Sequence, residues 1–245
     1  MDMLTRDQIS AAWLADWRQL AQGLHARYAV ESFAAGARFA AAVAEVSDGV
    51  GHHPTLTLGS RSVDLVLLSG DAVHRDGEGT VHVVDWVTQR DVDLARRLSA
   101  VAGEQGLVAD PGGIVTIELA LDTAHSGALS PVWAALLTGG ADASGHGSVE
   151  DAVSDPLRRL PLLWFQETDE HETPRQRFHV DVWVAPEVAS DRIAAAVAAG
   201  GVVVDDSQAP SFTVIADPDG NKACVCTSLR PTEDDSGTPD APGEA

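Results

Sequence analysis

Cysteine is scarce: the 245 residues hold only Cys224 and Cys226, and no CxxC pair exists, which excludes a cysteine-rich zinc centre. One residue apart, the two thiols share a strand face but are poorly placed to bond to each other. They read as buried thiols of a reducing compartment. Basic residues are also few, 16 against 37 acidic ones, and the formal charge of -21 repels the phosphate backbone of nucleic acid. By itself such acidity describes a well-hydrated surface and says nothing about chemistry. No apolar run approaches the roughly 18 to 20 residues of a membrane-spanning helix, and the opening MDMLTRDQIS lacks the basic-then-apolar pattern of a signal peptide. The expectation is a cytoplasmic protein with neither membrane nor nucleic acid as partner.

What is present is enough apolar residue, 44%, for two domains of ordinary size. From Leu4 to Val46 apolar positions recur at helical spacing (Ile9, Trp13, Leu14, Trp17, Leu20, then Phe33, Phe39, Val43), predicting two helices. Thr5 and Gln8 can cap the first reciprocally, and Leu24–Val30 reads as a short strand or extended connection. Past Asp48 the period becomes two, so Thr55–Leu58 and Ser62–Leu67 read as strands joined at Gly59–Arg61. Gly70–Thr80 reads as a loop and Thr88–Val101 as a helix with Thr88 as N-cap. Asp110-Pro-Gly-Gly113 breaks both regular structures and marks a boundary. Beyond it the pattern gives strand 114–121, helix 131–137, strands 162–166 and 178–184, helix 189–199, and strands 202–204, 212–216 and 223–227, a strand-helix-strands topology that occurs twice. The acidic, Pro- and Gly-rich tail 231–245 cannot bury apolar surface and is expected to be disordered. The expected domains are thus 1–105 and 113–229.

His52-His53-Pro54 opens the first strand of the period-two region. Pro54 holds His53 extended, and neighbouring strand residues point to opposite faces, so both imidazoles can serve one ligand only if the junction bends. An isolated HHP tripeptide would read as a turn with one packed and one solvated histidine. Its surroundings are Leu4, Trp17, Arg27, Phe33, Ala37, Phe39, Val43, Ala44 and Asp48-Gly-Val-Gly-His52-His53-Pro54, followed by Thr88-Gln-Arg-Asp91-Val-Asp-Leu94-Ala95. Over residues 4–102 this resembles the pterin-4a-carbinolamine dehydratases. The resemblance implies an α+β domain of α-β-β-α type, with an antiparallel sheet and helices on one face. It also implies removal of water from a 4a-hydroxytetrahydropterin to give the quinonoid dihydropterin. His52 and His53 would be the acid-base pair, oriented or tuned by Asp48 and Asp91, with Pro54, Ser69 and Gly70 at the substrate. No cofactor is implied, the partner is a small pterin, and a homodimer is the expected assembly. Two positions depart from the family pattern: Ser60 where an aromatic residue is usual, and Gly70 where a third functional histidine is usual. Loss of such a histidine removes an acid-base contribution of about 10²- to 10⁴-fold. His74 and His82, in the lengthened interval before Asp91, are alternatives for that place or plain loop residues.

Residues 113–228 carry Val132-Trp133-Ala-Ala-Leu-Leu-Thr-Gly139, Asp155-Pro156, Leu163-Trp-Phe-Gln166, His179-Val-Asp-Val182 and Asp217-Pro-Asp-Gly-Asn221. In that order they resemble the glyoxalase-like branch of the vicinal oxygen chelate superfamily, which implies paired βαβββ modules. Active members commonly hold a divalent metal, and Glu118 and His179 fall at plausible ligand positions. Lys222, where a carboxylate is often found, would repel a cation. Three functions stay open. The chain is a two-domain dehydratase, a weakened small-molecule-binding protein, or a glyoxalase- or dioxygenase-like enzyme acting through its second domain.

Overall fold

The computed structural model describes residues 1–138, 143–148, 151–169, 178–198, 201–216 and 222–231. The Asp217–Asn221 motif, Gly139 and almost all of the acidic tail lie outside the described residues. The chain divides into two compact units, Met1–Ile114 and Val115–Ala245.

In the first unit the order is α1 (Arg6–Ala11), β1 (Trp17–Leu20), β2 (Gly23–Ala29), α2 (Phe33–Val50), β3 (Thr55–Leu58), β4 (Ser62–Leu67), β5 (Ser69–Arg75), β6 (Val81–Trp86), α3 (Gln89–Glu104) and β7 (Val108–Ala109). The main sheet runs β1-β2-β4-β3, with β7 also on β2, and every pairing is antiparallel. Inward residues of β2 and β4 (Leu24, Ala26, Tyr28, Val63, Leu65, Leu67) are buried, as are Phe39 and Val43 of α2 and Leu94 and Leu98 of α3. Both helices touch each other and the sheet. Gly36 permits that approach, because a Cβ there would stand 2.5 Å from Leu58 Cδ1.

The capping box of α1 is present: Gln8 N–H donates to Thr5 Oγ1 and Thr5 N–H to Gln8 Oε1. The helix is shorter than its apolar spacing suggests. It stops at Ala11, Trp13 has φ 51° and is 89% exposed, and Trp17 and Leu20 belong to β1. Their i, i+3 spacing is helical, but both faces of this short strand are covered at those positions, and pairing with β2 overrides the local period. The predicted loop Gly70–Thr80 is instead most of a hairpin, β5 against β6. Asp76 forms its tip by accepting the Glu78 and Thr80 amides, and polar residues on both strands concealed the alternation.

His25 on β2 gives this unit an acid-sensitive point. Burial pushes its imidazole down to about 4 from 6.5, against the Leu20 backbone hydrogen bond and the Asp64 charge. A lowered histidine pKa contributes stability that is complete above 6.5 and lost as pH falls toward 4. The loss across that window is about 3 kcal/mol. Urea unfolding at pH 7 and pH 4 is expected to show this loss in the native chain and not in His25→Gln. Equal losses in both would refute it.

In the second unit the order is β8 (Val115–Thr123), α4 (Ser126–Thr138), β9 (Leu163–Glu167), β10 (Phe178–Val184), α5 (Pro186–Ala198), β11 (Val202–Asp205), β12 (Phe212–Ala216) and β13 (Lys222–Cys226). One sheet runs β11-β12-β13-β10-β8-β9. Its centre is antiparallel, β8 on β10, and each of these strands has a parallel outer neighbour, β9 and β13 respectively. The second half is a complete βαβββ module. Among the described residues the first half keeps β8-α4-β9, with its middle strands reduced to the single bridges Ser144↔Val153 and Val153↔Leu163. One sheet face packs under α4 through Leu121, Leu163, Phe165 and Ala134, and under α5 through Val184, Ile215 and Val225. By strand alternation the other face carries Glu118, Asp122, Trp164, His179, Asp181, Trp183, Cys224 and Cys226.

Candidate active site

The end of α2 sets up the first unit's site. Gly51 takes a left-handed conformation at φ 65°, its N–H bonds Asp48 O, and His52 N–H bonds Ser47 O, so the helix closes and the chain turns sharply. That turn precedes both histidines, and each ring then pairs with its own carboxylate. His52 Nε2 reaches Asp91 Oδ1 at 2.7 Å, and His53 Nε2 reaches Asp48 Oδ1 at 2.9 Å. The two pairs differ in setting. The His52 and Asp91 side chains are 13% and 0% exposed, whereas those of His53 and Asp48 are 59% and 77% exposed.

Asp91 is fixed by the start of α3. Its Oδ2 accepts the Thr88 N–H at 2.7 Å and the Ser69 and Thr88 hydroxyls at 2.7 and 3.0 Å. Burial opposes ionisation, but the bonds from His52, the Thr88 amide and Ser69 outweigh it and hold the carboxyl below its ordinary range. An ionised carboxylate only accepts, so His52 Nε2 carries a proton, and the neutral tautomer that fits this contact is the one with its lone pair on Nδ1. Ser69 is buried behind Asp91, Gly70 is exposed at the irregular start of the β5–β6 pairing, and Pro54 is half-buried beside His53. Ser60 lies exposed in the β3–β4 turn. His74 and His82 face each other across the hairpin, ring centroids 6.1 Å apart, with His82 on Asp76 at 3.0 Å. Four residues at about 3.3 Å each separate His74 from Gly70 along the strand, and His82 pairs with His74, so these rings do not fill the place at Gly70.

In the second unit Glu118 and His179 share the face away from the helices. The Trp183 indole N–H donates to Glu118 Oε2 at 2.6 Å, and the Trp164 indole N–H to Asp181 Oδ2 at 3.1 Å. His179 lies between two carboxylates, 3.4 Å from Asp181 Oδ1 and 3.6 Å from Asp122 Oδ1. Burial disfavours its charged ring, but Asp181, then Cys224 and Asp122, outweigh this and raise its pKa. Cys226 is pushed well up by its contact with Cys224 and by burial, so it remains a thiol.

The profile of the pterin 4 alpha carbinolamine dehydratase family matches residues 2–101. A putative pterin-4-alpha-carbinolamine dehydratase of Natronomonas pharaonis is 32% identical over 101 residues, 41% of this chain and 97% of the relative. The chain belongs to the pterin-4-alpha-carbinolamine dehydratase family. A second such relative, from Streptomyces coelicolor, is 36% identical over 39% of this chain and 83% of its own length. A solved structure of a transcriptional coactivator/pterin dehydratase from Brucella melitensis aligns with 42% of this chain and 100% of its own at 23% identity, TM-score 0.34. The profile of a glyoxalase-like domain matches residues 118–226, so this member of the dehydratase family carries a glyoxalase-like domain after its dehydratase part. Among the described residues no helix is long and apolar enough to cross a membrane.

Within this dehydratase part, the contribution of Ser69 went unread as a support for Asp91, because nothing local links residues 69 and 91. Thr88 was legible: Thr-x-x-Asp ahead of an apolar-periodic helix is a capping pattern.

Proposed function

We propose that the first unit dehydrates a 4a-hydroxytetrahydropterin to the quinonoid dihydropterin, as a hydro-lyase using histidine acid-base chemistry and no cofactor. The observation that carries this reading is the buried His52–Asp91 pair, whose carboxylate is held by three further hydrogen bonds. With Nε2–H committed to Asp91, His52 presents Nδ1 for proton transfer, and His53, exposed and paired with Asp48, is the second exchanging group. One ring donates to the departing hydroxyl while the other accepts the ring-nitrogen proton. Exposed Gly70, with no side chain to contribute, favours a second reading, a pterin-binding module with little turnover.

The test is the dehydration rate of freshly generated 4a-hydroxytetrahydropterin with the purified full chain beside the uncatalysed reaction. An acceleration that scales with protein supports the dehydratase. A rate equal to background rejects it and selects the binding module.

A further inference from the structure

The β5–β6 hairpin of the first unit carries a histidine pair that the dehydration chemistry does not use. His74 and His82 are direct partners across the antiparallel strands, so both rings project from one face of the hairpin. Both residues are half-buried, and the ring centres stand 6.1 Å apart with their planes inclined at 36°. Toward the base of the hairpin the same face carries the paired Ala72 and Val84, both buried, which fixes the register beneath the rings. Asp76 at the tip orients the pair. Its Oδ1 accepts the Glu78 and Thr80 amides at 3.0 and 2.8 Å, and its Oδ2 meets His82 Nε2 at 3.0 Å. The contact with His82, and after it the Thr80 amide, brings this carboxyl down to about 2, so at neutral pH it only accepts. His82 Nε2 therefore carries a proton, and the neutral ring that fits this contact has its lone pair on Nδ1. A carboxylate that holds one imidazole nitrogen and leaves the other to ligate is the arrangement that supports metal-binding histidines.

We propose that His74 and His82 together chelate one divalent cation of the zinc, nickel and copper group, with Asp76 behind His82 and water in the remaining positions. Imidazole nitrogen suits these ions, whereas magnesium and calcium require oxygen ligands. Two rings that ligate one ion at about 2.0 to 2.1 Å have centres about 5 Å apart at a tetrahedral angle and farther apart at wider ones. The observed 6.1 Å is met by a small closing movement of the two side chains. The acidic excess of the chain, -21 in formal charge, draws cations to it. Because both ligands ride on one hairpin, the second bond forms within the molecule, and joint binding exceeds that of either ring alone by about 10²-fold.

The experiment strips the full chain with a chelator and follows its imidazole resonances by NMR, assigned through the backbone, as Zn²⁺ is added. Expected is a saturable movement of the His74 and His82 signals with one shared midpoint. In His74→Gln the midpoint for His82 should rise by about 10²-fold, and in Asp76→Asn the shared midpoint by at least about tenfold. Circular dichroism checks that each variant folds. On the native chain alone, signals of His74 and His82 that stay still, or that move with separate midpoints, overturn the proposal. So does a His82 midpoint unchanged in folded His74→Gln, the behaviour of a lone surface histidine that takes up zinc adventitiously.

Discussion

His52→Ala is expected to lower kcat/KM for 4a-hydroxytetrahydropterin dehydration by about 10²- to 10⁴-fold, and Asp91→Asn to take away a large part of the same factor without touching substrate. The second result follows from proton placement. The asparagine amide can turn its NH₂ toward His52 Nε2, and a nitrogen that accepts there must leave the proton on Nδ1, the atom the native tautomer keeps free. The imidazole would stay where it is with its two nitrogens in exchanged roles. Asp48→Asn makes the same chemical change in the exposed His53 pair, where solvent screens the interaction and a surface ion pair contributes about 0 to 1 kcal/mol, so its effect is no more than about fivefold. The measurement is kcat/KM for the three variants, with thermal unfolding as a check on folding, since Asp91 also anchors the start of α3. Asp91→Asn with native kcat/KM and an intact fold would remove Asp91 from the mechanism.

How much could be read in advance divides by the range of the interaction. Ser62–Leu67 alternates cleanly, because one face of β4 meets the helices and the other does not, and its limits came directly from the sequence. The same holds for Thr55–Leu58, Phe178–Val184 and Phe212–Ala216. The β5–β6 hairpin was missed because neither face gives an apolar period: Asp71, His74 and Arg75 sit on one strand and His82 and Asp85 on the other. Trp17–Leu20 failed differently. Its spacing was real, but a four-residue strand takes its identity from the neighbouring β2, which lies outside any local window. The site follows the same rule. His52 and Asp48 are close in sequence and were readable through a short motif. The contact from His52 to Asp91 spans 39 residues and was visible only through resemblance to a family. Asp181 and Cys224, 43 positions apart by their numbers, meet only because β10 and β13 pair in parallel, a pairing that the motif around Asp181 does not disclose.

Phe39→Ala should cost the first unit about 3 to 5 kcal/mol, among the largest single losses available to it. Phe39 is 0% exposed, and its ring meets Tyr28 edge-on at 5.2 Å, so truncation removes a buried aromatic and its paired contact and leaves a void between α2 and the sheet. Val43, one helical turn further along α2, is a branched chain already buried in its own place and can close little of that space. Phe39→Leu, which retains most of the volume, should cost well under half as much. The consequence for chemistry is more discriminating than the stability itself. Phe39 lies nine residues before Asp48 on α2, about 13 Å along the helix axis, and the Gly51 turn that precedes His52 depends on hydrogen bonds from the Gly51 and His52 amides to the Asp48 and Ser47 carbonyls, not on the aromatic pair. Urea unfolding should therefore show the full loss, while kcat/KM measured well below the variant's melting temperature changes by less than about tenfold, a shift of under about 1.4 kcal/mol. A kcat/KM that collapses in the folded Phe39→Ala protein as far as in His52→Ala would show that the helix core itself holds the histidines in register. The separation drawn here between a scaffold at Phe39 and a reactive pair at His52 and Asp91 would then be wrong.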